Sequence, residues 1–468
     1  MLHKFSLRLA TICLLSGVTF QANSQQKVLS MKEAVQIALD NYGTIKAKNN
    51  YANSSKETIK QSKAEYLPDF NISGQQDFGT INGQQGPLYG YRGFSSAASG
   101  QPSSEQHWNA AFGALYLANV SWDFFAFGKA KERIKVAKSV FNRDQDDLDQ
   151  EKFQHEIRVA SAYLTLQAAQ RFSISQENNL KRALGLRAVV VARAKNGLNP
   201  GVDSSLANAE VSSAKIALTN SLQRQQEEQN RLIQYLGIAP QDFLLDSIFV
   251  TRVPASLKAE SKVLHDEHPL LQYYQSRINL SNEQAKYIRT FQYPTFSVFS
   301  LIQSRGSGFD YNYSSQNSNA YTQSYTKGVN PTRSNYLFGI GMIWNLTSPL
   351  RVRHQYSSQK YISQALKDEY DLVDQQLKAQ LSLAETRINN ALNNYQEAPV
   401  QVKAASDAYL QKSVLYKNGL SNIVDITQAL YTVNRAETDR DIAFSNVWQA
   451  LLFKAAATGD FDIFINEF

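Results

Sequence analysis

A single cysteine, Cys13, is all the thiol that this 468-residue chain carries, which excludes disulfide scaffolds, Cys-ligated zinc and iron–sulfur clusters. Charge is sparse too: Asp, Glu, Lys and Arg make up 19% of the residues, below the usual quarter. The balance of 48 basic to 41 acidic residues gives +7, and no run of five like charges occurs to engage nucleic acid. Beyond residue 24 there is no run of 18 apolar residues, and mean hydropathy is −0.39, so no membrane-spanning helix is expected. Nucleophile-elbow, P-loop and zincin signatures are missing, which leaves no enzyme and no cofactor to expect.

What is present begins with an export signal. Lys4 and Arg8 precede an apolar stretch from Leu9 to Phe20, and Ala22-Asn23-Ser24 offers small residues before Gln25, so residues 1–24 read as a cleaved secretory signal. Ile12 stands immediately before Cys13, where a lipidation signal needs a small residue, which argues against a lipid anchor.

The rest of the chain repeats itself. AKNGLNPGVD (194–203) returns as YKNGLSNIVD (416–425), with Gly197 and Gly419 222 residues apart. Trp122-Asp123-Phe124-Phe125 and Trp344-Asn345-Leu346-Thr347 show the same offset, and Pro68 and Pro294 nearly so. Such constancy indicates a tandem duplication, with repeats over 25–240 and 261–468 and a linker over 241–260.

Each repeat opens with a helix and then changes period. Ser30-Met31-Lys32-Glu33 has the form of a capping box, and the helix it starts runs to Pro68 with a break near Gly43. Phe70, Ile72, Gly74 and Gln76 then alternate with Asn71, Ser73, Gln75 and Asp77, the pattern of a strand over about 69–80. A loop of Gly, Ser, Gln and Pro follows to about 106. A second strand is predicted over about 108–124. The second repeat gives strands over about 294–304 and 335–346 around a Ser/Asn/Tyr-rich loop.

The last strand places Tyr336, Phe338, Ile340, Met342, Trp344 and Leu346 on one wholly apolar face. Its aromatic ends are about 26 Å apart at ~3.3 Å per residue, or about 20 Å along a membrane normal after tilt, which suits the two aromatic girdles of an outer-membrane barrel. A sandwich strand would need a second sheet, and only four good strands are present.

Long helices fill the remainder. Leu366, Tyr370, Val373, Leu377, Leu381, Ala384, Ile388, Leu392 and Tyr395 recur at steps of three and four, interrupted only by Pro399. A helix over 350–418 would be about 100 Å long. Both repeats turn at Asn-Gly-Leu and come back, giving helical hairpins over 128–236 and 350–455. Four strands cannot close a barrel, and an open lipid-facing sheet is not viable, so several copies must share one.

On these features the chain resembles the TolC-like outer-membrane factor (outer membrane efflux protein) family. The supporting segments are LSMKEAVQIALDN (29–41), the HPLL start at His268, WDFFAFGKAKERIKVAK (122–138) and KNGLSNIVDITQALY (417–431). The resemblance implies a mostly α fold with a transmembrane β-barrel contribution: a homotrimer with a 12-stranded barrel in outer-membrane lipid and a coiled-coil tunnel reaching into the periplasm. It implies a passive exit duct for a tripartite efflux pump or type I secretion. The partners would be a periplasmic adaptor and an inner-membrane transporter of proton-driven or ABC type. The competing class is an exported coiled-coil scaffold with no channel.

Candidate sites follow from the same resemblance. Gly197, Leu198, Gly419, Leu420 and Ser421 occupy tips where an adaptor docks, though glycine there is also an ordinary helix C-cap. Asp203, Tyr416 and Asp425 match positions that hold the aperture shut or form its acidic constriction, while both aspartates also read as helix-start acids. Folding the hairpins side by side is expected to bring Tyr416 against Asp203. Two departures weaken the lock: Ser421 stands where an arginine is common, and Gln428 where a second acid is. His265 and His268 share a spacing that could hold a metal, but Pro269 marks a helix start instead.

Overall fold

The computed structural model describes residues 28–83, 102–246, 252–258 and 267–468, so the signal segment and His265 lie outside it. The chain forms two compact units that each draw on both repeats. One contains the described residues of Met1–Asn50, Gln145–Tyr274 and Glu369–Phe468, the other those of Tyr51–Asp144 and Gln275–Asp368.

The first unit is helical. Ser30 caps α1 (Met31–Asn41), its Oγ accepting from Glu33 N at 3.2 Å, and Met31, Ala34, Val35 and Ala38 form the buried stripe that helical period dictates. This stripe packs into a core with Tyr163, Leu232, Leu236, Trp448, Leu451, Ala455 and Phe464. A parallel pair of two-residue strands, β1 (Val28–Leu29) and β4 (Leu244–Leu245), flanks it. Tyr163 ties the pair together: its hydroxyl donates to Leu29 O at 2.6 Å and accepts from Asp246 N at 3.0 Å. The stretch read as a linker thus contributes a strand here, and a 3-10 turn, Ala255–Lys258, whose first amides are capped by Glu467. His268 ends as a helix cap, its Nδ1 accepting from Leu270 N at 3.1 Å just ahead of α5 (Pro269–Thr290).

Two long helical hairpins turn within this unit, their first residues belonging to the other. Besides α2 (Gly43–Ala64) and the short α6 (Tyr325–Val329), α3 (Lys129–Lys195) turns into α4 (Gly201–Leu236) in the first hairpin, and α7 (Ser348–Lys417) into α8 (Ile423–Thr458) in the second. The sixty-seven residues of α3 span about 100 Å. Pro399 does not interrupt α7, which runs through it; a proline removes one ladder bond, and the packing of Leu377, Ala384, Ile388 and Ala405 on either side holds the helix together.

Glu156 on α3 gives the unit a pH response. Burial, and then the charge of Asp462, push its carboxyl from the usual 4.5 up to about 7, against the pull of Lys152. The folded state therefore holds this proton more tightly than the unfolded state does. Stability should fall as pH rises from ~4.5 to ~7 and then level off. Glu156→Gln is expected to raise the melting temperature at pH 8, by up to ~3 kcal/mol of stability, and to leave it unchanged at pH 4. Equal melting shifts at both pH values would remove the carboxyl from this role.

The second unit is built on an antiparallel sheet in the order β2 (Asp69–Thr80), β3 (Ala110–Phe125), β5 (Thr295–Ser307), β6 (Arg333–Ile343). The two repeats meet at β3 and β5, and no described strand pairs with the outer edges of β2 and β6. Register puts Ile72, Ala118, Ile302 and Tyr336 in one row and Val120, Ser300 and Phe338 in the next. One face therefore collects Phe70, Ile72, Val120, Val298, Phe338 and Ile340, the other Asn71, Gln75, Asp77, Asn119, Gln303 and Asn335. Tyr336, Phe338, Ile340 and Met342 are exposed, Ile340 at 68%.

The strand ends carry a correction. β6 stops at Ile343, so Trp344 and Leu346 lie beyond it, because Asn345 Oδ1 takes Thr347 N at 3.1 Å and turns the chain into α7. Trp344 instead donates its indole N–H to Gln292 O at 3.1 Å. Trp122 does the same to Tyr66 O at 2.9 Å in the first repeat. Gly339 leaves room for Phe299, whose ring a Cβ there would meet at 2.7 Å.

Candidate functional site

Both hairpin tips close by one device. Gly197 and Gly419 adopt φ of 72° and 78°, the left-handed region open to glycine. Leu198 N donates to Arg193 O and Leu420 N to Leu415 O, each at 2.9 Å, the bond that closes a Schellman turn. This turn leaves both leucines in solvent, Leu198 at 65% and Leu420 at 74% exposed. In each tip the residue after the leucine holds the acid four positions on: Asn199 Nδ2 donates to Asp203 Oδ2 at 2.7 Å, and Ser421 Oγ to Asp425 Oδ2 at 3.0 Å.

The tips are tied to each other. Tyr416 is buried at 1% exposure among Leu186, Val190, Ala207, Ile423 and Ile426, and its hydroxyl meets Asn199 Nδ2 at 3.0 Å. Tyr416 and Asp203 are therefore brought together through Asn199; the direct phenol–carboxylate bond expected from the sequence does not form. Arg193 completes the network. Its Nε donates to Asn199 Oδ1 at 2.8 Å, its Nη1 to Lys417 O at 2.6 Å, and its guanidinium lies 5.6 Å from the Tyr416 ring centroid. Burial first, and then the Asp203 charge, raise the Tyr416 phenol above its usual value.

An arginine is thus present in the tip, supplied by the first hairpin and not at Ser421. Asn199 and Arg193 escaped the sequence reading, although Asn199 occupies the place of Ser421 in the other repeat. Farther from the tip, Tyr431 donates to Glu210 Oε2 at 2.5 Å, and that bond, with burial, pushes the phenol up to about 12. Arg182 grips Glu437 with both Nη atoms, at 3.1 and 2.8 Å. Asp425 sits 3.1 Å from Lys412 Nζ, which together with Ser421 holds its carboxyl below the usual range.

These bonds join the two hairpin tips laterally, Arg193 and Asn199 of the first to Lys417 and Tyr416 of the second. Residues 34–238, the first repeat, match the family described as outer membrane efflux protein. The first repeat is thus similar to outer membrane efflux proteins, over 205 of the 468 residues. The fold extends over the second repeat as well, and three of the solved structures that share it are similar over most of the chain. They are the outer membrane protein VceC from Vibrio cholerae (TM-score 0.72, 14% identity, 92% of this chain and 96% of that one), the Campylobacter jejuni CmeC outer membrane channel (0.73, 13%, 92% and 85%) and the open state of the Neisseria gonorrhoeae MtrE outer membrane channel (0.69, 15%, 92% and 89%). No curated protein matches the chain by sequence. Family and structural neighbours are channels, not enzymes, and no group of three or more metal-binding side chains occurs among the described residues.

Proposed function

We propose that this chain is an outer membrane efflux protein, the exit duct of a tripartite efflux pump or a type I secretion system, placed in the outer membrane and reaching into the periplasm. The sheet carries this reading. Four strands with one apolar face and two unpaired edges need partners, and three copies make the twelve strands of one barrel. Tyr336, Phe338, Ile340 and Met342 then face lipid, with Trp344 just below them at the boundary. The hairpins form the tunnel wall, and the Arg193–Asn199–Tyr416 network, with Asp203 and Asp425 beside it, is the periplasmic gate. Leu198 and Leu420, with Gly197, Gly419 and Ser421 shaping the turns, present apolar knobs to a periplasmic adaptor. Transport is passive, and the inner-membrane transporter supplies the energy.

Purified protein reconstituted into planar bilayers tests this. Discrete conductance steps from a detergent-dependent trimer are the expected result. A monomer that stays soluble without detergent and conducts nothing would return the chain to the scaffold class.

A further inference from the structure

Within this channel reading, the tips carry an imbalance of charge. Both tip carboxylates are engaged. Asp425 is paired with Lys412 at 3.1 Å and also bonded by Ser421, and Asp203 is linked through the Asn199 amide to the Arg193 guanidinium. The lysines are not balanced in the same way. Lys195 and Lys417 flank the two glycine turns, both exposed, and neither has an acidic partner among the described residues. Over 190–206 and 409–427 the cations are Arg193, Lys195, Lys412 and Lys417, and the anions only Asp203 and Asp425. Each chain thus brings +2 to its tips, and three chains bring +6.

A carboxylate sharing its charge with an ammonium 3 Å away projects little field beyond a few ångströms, whereas an unpaired lysine acts out to the Debye length, about 10 Å at 0.1 M salt. We infer that the periplasmic aperture of this channel prefers anions: Lys195 and Lys417 set its field, Lys412 silences Asp425, and the solutes it favours carry net negative charge. Gln428, where a second acid would otherwise add to the ring, points the same way. Focusing of field lines in a narrow passage amplifies such an imbalance.

Reversal potentials across planar bilayers in a tenfold KCl gradient test the inference. The parent channel is expected to pass chloride over potassium by roughly threefold at low salt, and the preference should shrink when both chambers are brought to molar salt, where the Debye length is only about 3 Å. Lys195→Gln with Lys417→Gln should abolish it, and Lys412→Gln should swing the channel toward potassium by unmasking Asp425. Inorganic tripolyphosphate added on the tip side should reduce the parent current and lose that effect in the Lys195→Gln, Lys417→Gln variant. A cation-preferring parent that loses its preference on Asp425→Asn would overturn the inference while leaving the channel intact. Absence of any conductance would remove the channel reading and this inference with it.

Discussion

Ile340→Arg should leave most of the chain outside the membrane. Ile340 lies midway along the apolar face of β6, 68% exposed, opposite Val298 and between Phe338 and Met342. In hydrocarbon, arginine near the midplane costs roughly 2–4 kcal/mol relative to an apolar residue, which is a factor of roughly 30 to 1,000 in insertion for each copy. The side chain has no route to the polar face, because register sends successive residues to opposite sides. Asn335→Arg provides the contrast. It sits on the same strand facing the other way, beside Gln303, and should insert like the parent. Urea-washed membranes and the yield of detergent-extracted trimer read both variants, and equal insertion of the two would show that the apolar face does not meet lipid.

A large change in conductance is expected from Arg193→Ala combined with Asn199→Ala. Together they delete the bonds from Arg193 to Asn199 and Lys417 O, and those from Asn199 to Tyr416 and Asp203. Bonds to charged groups contribute about 1.5–3 kcal/mol each, and three copies multiply the loss, so the closed state should give way to a several-fold higher mean conductance in planar bilayers. The charge-neutral pair Asn199→Ala with Tyr416→Phe keeps Arg193 on Lys417 O and should open the channel less. Asp203→Ala alone should do least, since Asp203 reaches Tyr416 only through the amide. A double variant that conducts like its parent would place the gate elsewhere along the hairpins.

The sheet was readable from the sequence because a strand shows its two faces with a period of two, and nothing distant has to be known. Residues 69–80 come out as a strand with the same bounds as read, and the apolar row from Tyr336 to Met342 stays on one face. Its lower end was misread because Trp344 and Leu346 keep the alternation after Asn345 has already turned the backbone. The long helices were legible for a similar reason, and the stripe from Leu366 to Tyr395 is buried or half-buried throughout. The tip network was legible only in part. Asp203 and Tyr416 were identified, but the atoms that join them belong to Asn199, 217 residues from Tyr416, and to a guanidinium six residues earlier. Local spacing carries no information about which side chain fills a gap between two hairpins. Comparing the repeats position by position, Asn199 against Ser421, held the one clue.

The proline in α7 makes the two hairpins mechanically unequal. α3 has no proline anywhere in its sixty-seven residues, so its ladder of amide bonds is complete, whereas at Pro399 the carbonyl of Tyr395 has no amide proton to receive. Bending strain in the second hairpin therefore collects at that point, the weakest section of the rod. From Pro399 to the end of α7 at Lys417 the lever arm is about 27 Å at ~1.5 Å per residue. A flexure of about 10° there would carry the tip through about 5 Å, more than the length of any hydrogen bond in the tip network. In the proposed channel the second hairpin is therefore the more compliant of the two.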